Sequence, residues 1–137
     1  MIICGTEIAG NSIVFALLDL TDSGWSILEY DIKKLVLENP SDQAEVKSFK
    51  DSVEHLMARI GVNAIVIKSR KDTGKFSGSG TSFKIEGLVQ LIEGIEVILL
   101  SPNTIASIIK KHPVSIPKEL YKYQHEAFKA AYCYTVR

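Results

Sequence analysis

Cysteine is scarce in this chain, with only Cys4 and Cys133 present. Their separation excludes a metal knuckle or a Cys-x-x-Cys redox pair. Apolar neighbours make them two small buried hydrophobes, as expected of a reducing cytoplasm. An excess of either charge is also missing: 16 basic and 16 acidic side chains give a formal net charge of +0. That argues against strong non-specific nucleic-acid binding by the chain as a whole, and leaves room for a local basic patch. No apolar run reaches the roughly 18 residues of a membrane span. The opening Met1-Ile2-Ile3-Cys4 has no basic region before the apolar one, so no signal peptide is expected. Internal repeats, low-complexity tracts and linkers are absent. What remains is 137 residues, 46% hydrophobic, expected to form a single α/β domain over 1–137 with an ordinary core.

The informative stretch is the first one. Residues 2–8 read as a strand, Ala9-Gly10-Asn11-Ser12 as a tight turn, and 12–20 as a second strand. Ile3, Gly5 and Glu7 share one face of the first strand, because side chains alternate. An ionised Glu7 among Ile and Cys is costly in mid-sheet without water, a metal ion or a cation beside it. Gly5 and Gly10 let something approach the backbone closely. A third strand is expected over Trp25–Leu37, completing an antiparallel meander. Asn39-Pro40-Ser41-Asp42 then caps a helix whose stripe is Val46, Phe49, Val53, Leu56, Met57 and Ile60, ended by Gly61. Ala64–Ile67 reads as a buried parallel strand. A helix over 81–93 follows, with Phe83, Leu88, Leu91 and Ile92 inward, and then a fifth strand over 95–100. Ser101-Pro102 opens a helix to Lys111. Pro117 opens the last helix, to about Tyr134. This order predicts a five-stranded mixed sheet, spatial order 3-2-1-4-5, with Glu7 near the carboxyl end of its central strand, where open sheets bind ligands.

The pattern resembles the RNase H-like superfamily, and the RuvC-type Holliday-junction resolvases in particular. Three stretches carry the likeness: Ile3–Gly10, where an acid precedes a glycine turn; Ala64–Lys68; and His125–Tyr132, where an acid precedes an alanine-rich stripe. The resemblance implies a three-layer RNase H-like fold within a small bacterial family. It also implies two-metal phosphodiester hydrolysis with Mg²⁺ or Mn²⁺, several carboxylates holding ions roughly 3.5–4 Å apart. By position, Glu7 and Glu126 become the catalytic, metal-binding acids. This chain departs from the pattern at Lys68, where the resolvases carry an acid, and at Lys122 and Tyr123, one turn before Glu126. Asp72 is a candidate substitute.

Lys68 has two readings. Paired with Glu7 it neutralises the site and replaces the metal; otherwise it is a catalytic cation that binds phosphate beside a single metal. The segment from Lys68 to Ser82 adds Arg70, Lys71, Lys75, Gly78 and Gly80 before a helix N-terminus. That composition suits an anion or nucleic-acid backbone, or simply a solvated loop. Lys110, Lys111, His112, Lys118 and Lys122 form a second basic segment. Two functions follow. One is a RuvC-like, metal-dependent nuclease acting on DNA or RNA, active or decayed. The other is a non-catalytic binding or dimerisation module with a neutralised Lys68–Glu7 site and an anion-binding loop. The resemblance implies a homodimer, for which the tyrosine-rich tail is a candidate contact, and the sequence leaves the oligomeric state open. A nucleotide-binding role like that of the actin-like ATPases is disfavoured, because one lobe is too short to enclose a nucleotide.

Overall fold

The structure is a computed structural model that describes residues 1–70 and 79–137. Its strands are β1 (Ile2–Ala9), β2 (Ser12–Thr21), β3 (Gly24–Leu28), β4 (Lys34–Val36), β5 (Val62–Lys68) and β6 (Glu96–Leu100). Its helices are α1 (Gln43–Ile60), α2 (Gly80–Gln90), α3 (Pro102–Lys111) and α4 (His125–Thr135). The six-stranded sheet runs β3-β2-β1-β5-β6, with β4 also paired to β2. β1 is antiparallel to β2 and parallel to β5, and β5 is parallel to β6. Apart from strand numbering this is the expected order, with β1 at the centre.

Local chemistry sets the boundaries. Gly10 takes φ +60 in the two-residue turn that joins β1 to β2. The Asp42 side chain accepts from the Ala44 N–H at the start of α1, and Gly61 leaves the helix with φ +84. Ser101 caps α3 by accepting from the Thr104 N–H.

Two apolar cores flank the sheet. Cys4, Ile8, Phe15 and Ile67 pack with Phe49, Val53 and Met57 of α1 and Ile85 and Val89 of α2. Ile3, Val14, Ala16 and Val66 pack on the other face with Ile105 of α3 and Ala127, Phe128 and Ala131 of α4. Helix, sheet and helix form the three layers. Burial pushes the Cys133 thiol up to about 11 and raises that of Cys4 further, so both stay protonated.

Three expectations need correcting. The third strand is two: β3 and β4 both lie beside β2, and residues 29–32 leave the ladder between them. An edge strand bonds on one side only, so nothing forces an alternating sequence to stay paired throughout. In α2 the buried positions are Ser82, Ile85 and Val89; of the expected face, Ile92 is buried and Leu88 packs on the core, whereas Leu91 is 64% exposed. Ser82 can point inward because its hydroxyl donates to the Ser79 carbonyl at 2.8 Å. The last helix does not begin at Pro117. A short 3-10 turn (Lys122–Gln124) leads into α4, and Tyr121 before it is extended.

Candidate functional site

Glu7 lies two residues before the end of β1, and parallel pairing sets it directly opposite Lys68 at the end of β5. Both side chains project to the same face of the sheet, the one that α4 covers. Gly5 allows α4 to come down there. A Cβ on Gly5 would lie 1.9 Å from the Ala127 carbonyl oxygen and 2.8 Å from the Ala131 Cβ. The missing side chain thus sets the helix height, and Glu126, in the first turn of α4, reaches the strand ends.

Lys68 Nζ donates to Glu126 Oε1 at 2.7 Å and to Glu7 Oε2 at 3.5 Å. Lys129, one turn along α4, places its Nζ 2.9 Å from Glu126 Oε2. The result is a chain of alternating charge, Glu7–Lys68–Glu126–Lys129. The Lys68 and Glu7 side chains are largely shielded, at 18% and 19% exposure, and Glu126 is more open. Burial alone would raise the Glu126 pKa. Hydrogen bonds and charge from Lys68 and Lys129 outweigh that and hold it below the ordinary carboxylate value. Beside this chain lies a cleft of about 390 Å³ between α3 and α4. Pro102, Ile105, Ala106 and Ile109 make its apolar wall, and Lys68, Lys110, Glu126 and Lys129 its polar one.

The expected residues therefore divide into three groups. Glu7, Lys68 and Glu126 meet at one point. Arg70 and Gly80 do not line the cleft, and a Cβ on Gly80 would touch nothing, so the backbone there does not require glycine. Lys71, Asp72, Lys75 and Gly78 lie outside the described residues. Lys129 is the residue that sequence reasoning missed. Its signal was available, because a Glu and a Lys three positions apart are neighbours on a helix.

Two divalent ions need several hard oxygen ligands with open coordination sites. Among the described residues no three His, Cys, Asp or Glu side chains converge. The two acids that do meet are already held by ammonium groups, and both oxygens of Glu126 are engaged. These residues do not fit a two-metal centre. Also among the described residues, no helix is long and apolar enough to cross a membrane.

Similar folds occur among solved structures. Thermus thermophilus RuvC superposes with TM-score 0.71 at 14% identity, covering 97% of this chain and 92% of that one. T. thermophilus RuvC in complex with Holliday junction substrate gives 0.68 at 15% identity, over 97% and 92%. Fowlpox virus resolvase, in its complex with substrate Holliday junction DNA, gives 0.54 at 14% identity, over 99% and 97%. At these identities the likeness is one of fold, and the fold is RNase H-like. No curated protein matches the sequence. A family model matches residues 1–134, and the chain belongs to that family, described as protein of unknown function (DUF3010).

Proposed function

We propose that this protein is a nucleic-acid-binding module of the resolvase fold whose carboxylate centre is closed by its own lysines, so that it holds a polynucleotide without hydrolysing it. The observation that carries the reading is the position of Lys68 Nζ, 2.7 Å from Glu126 and 3.5 Å from Glu7. The ammonium stands between the two acids, where a divalent ion would otherwise have to sit. It satisfies their charge without supplying a Lewis acid or a metal-bound water. Support for nucleic acid as the partner comes from the two resolvase structures that hold Holliday junction DNA. A basic margin adds to it: Lys110 lines the cleft and Lys111 follows at the end of α3. Arg70, Lys71 and Lys75, with Gly78 and Gly80, keep in this reading the phosphate-binding role that their composition suggests.

The second reading is a Mg²⁺- or Mn²⁺-dependent nuclease with Glu7, Glu126 and Lys68 as its catalytic residues. One observation favours it: the two acids do converge beside the carboxyl end of the central strand. It requires Lys68 to swing away and give up both acids.

The experiment that separates the two uses four-way-junction, duplex and single-stranded DNA and RNA with Mg²⁺ or Mn²⁺. The closed-site reading expects retention of at least one of these substrates in a mobility-shift assay and no scission. Scission by the wild type that disappears in Glu7→Ala would overturn it in favour of the nuclease. Absence of any retention would remove nucleic acid as the partner. Calorimetric titration with Mn²⁺ gives a third readout: no binding by the wild type, and binding gained in Lys68→Ala once the two acids lose their counter-ion.

A further inference from the structure

One free margin of the sheet lies away from this centre, at β4. Residues 33, 35 and 37 face inward: the Phe15 N–H donates to the Lys33 carbonyl, Leu35 is opposite Ile13, and the Leu37 N–H donates to the Asn11 carbonyl. In an antiparallel ladder, alternate residues bond to alternate sides. The N–H and C=O groups of Lys34 and Val36 therefore point outward, and among the described residues no strand pairs with them. Apolar side chains lie open along it beside the exposed Lys34: Ile32 and Val36 are 37% and 40% exposed.

α1 runs beside this margin, and two adjoining cavities lie between them. One, of about 200 Å³, is bounded by Leu35, Val36 and Glu38 on one side and Glu45, Phe49 and Ser52 on the other. The other, of about 260 Å³, is bounded by Ile32 and Leu35 opposite Ser52, His55, Leu56 and Arg59. Leu35 and Ser52 belong to both, so the cavities make one furrow. Its two ends differ in charge, with Glu38 and Glu45 at one and His55 and Arg59 at the other. Glu45 Oε2 is buried and has no hydrogen-bond partner among the described residues. A buried carboxylate oxygen without a donor is expensive, and a donor entering the furrow would relieve it.

We infer that the β4–α1 furrow is a docking site for an extended peptide segment of another protein, which adds to β4 as a further strand. The outward groups of Lys34 and Val36 supply main-chain hydrogen bonds. The apolar floor at Leu35, Phe49 and Leu56 takes alternate apolar side chains of the incoming strand. Charge complementarity sets its chemistry: a Lys or Arg reaches Glu45 and Glu38, and an acidic group reaches Arg59. This site is independent of the reading of Lys68, and its test does not use nucleic acid.

The probe is a random decapeptide library displayed on phage and panned on the full chain. Expected is enrichment of sequences that alternate apolar residues and carry Lys or Arg toward one end. Among backbone groups Val36→Pro removes only an outward N–H, which an edge strand tolerates, and it leaves an apolar side chain at the furrow wall. A selected peptide should bind that variant at least tenfold more weakly by fluorescence anisotropy, with circular dichroism unchanged. Glu45→Gln should weaken the same peptide several-fold. If Val36→Pro does not fold, hydrogen exchange in the wild type serves instead: the Lys34 and Val36 amides should slow when the peptide binds. No enrichment, equal affinity for folded Val36→Pro, or unchanged exchange at those two amides would each overturn the inference. So would a concentration-dependent dimer in sedimentation that Val36→Pro abolishes, since a second copy would then be the occupant.

Discussion

Glu126 holds two ammonium groups at once, Lys68 on Oε1 and Lys129 on Oε2. Its pKa lies below 4.5 because those cations outweigh the opposing cost of burial. A carboxyl that ionises more readily in the folded chain stabilises the fold at any pH above its unfolded value. As pH falls below 4.5 the unfolded chain takes up the proton first, and the contribution fades until the native group titrates as well. The thermal midpoint of Glu126→Gln should thus lie below that of the wild type at neutral pH, and the gap should narrow steadily under acid. A gap independent of pH would mean that the lysines do not act on the charge of Glu126. At this scale the sequence was partly legible. Glu7 stood out because strand alternation put a charge among apolar residues, and Lys68 because it ended the neighbouring strand. Lys129 was overlooked because it reads as one more solvated helix lysine until its partner has a place.

The element that brings the acids together is α4, and Gly5 decides how near it comes. Any Cβ there meets backbone atoms of Ala127 and Ala131, which cannot rotate aside. Gly5→Ala should cost about 3 kcal/mol or more by overpacking, read from urea unfolding. It should also lift α4 and lengthen the Lys68–Glu126 bond, so its pH-dependent part of stability should resemble that of Glu126→Gln. An alanine accommodated at little cost would mean that the helix sits higher than described. The near end of α4 is fixed by Gln124, whose amide donates to the Phe15 carbonyl at 2.9 Å and whose oxygen accepts from the Tyr121 N–H. The bond to Phe15 spans 109 positions. This is why a helix drawn from Pro117 was misplaced: its start is set by that long-range bond together with the local one between Tyr121 and Gln124. Gly61 and Ser101, by contrast, act through their own backbone or side chain, so α1 and α3 ended and began where the sequence put them. The division of the third strand was equally hidden, since Tyr30 to Lys33 alternate as a strand would and an edge strand is held from one side only.

Across the whole molecule charge balances at +0, so affinity for a polyanion depends on where cations are left uncompensated. Lys68 and Lys129 are committed to carboxylates. The last turn of α3 offers Lys110 and Lys111, beside the apolar wall of the cleft. A polynucleotide held by so few cations should release few counter-ions. In the closed-site reading, log K against log salt should fall with a slope of only about −2 to −4, against about −10 for a strongly basic repressor. Replacing Lys110 and Lys111 by alanine should make that slope shallower by about 1 for each phosphate no longer neutralised, with the thermal midpoint unchanged. Lys47, on the exposed outer side of α1, is the matched control and should leave the slope alone. If Lys110 and Lys111 change nothing while Lys47 does, the polynucleotide lies on the α1 layer, and the ion-paired centre has no part in holding it.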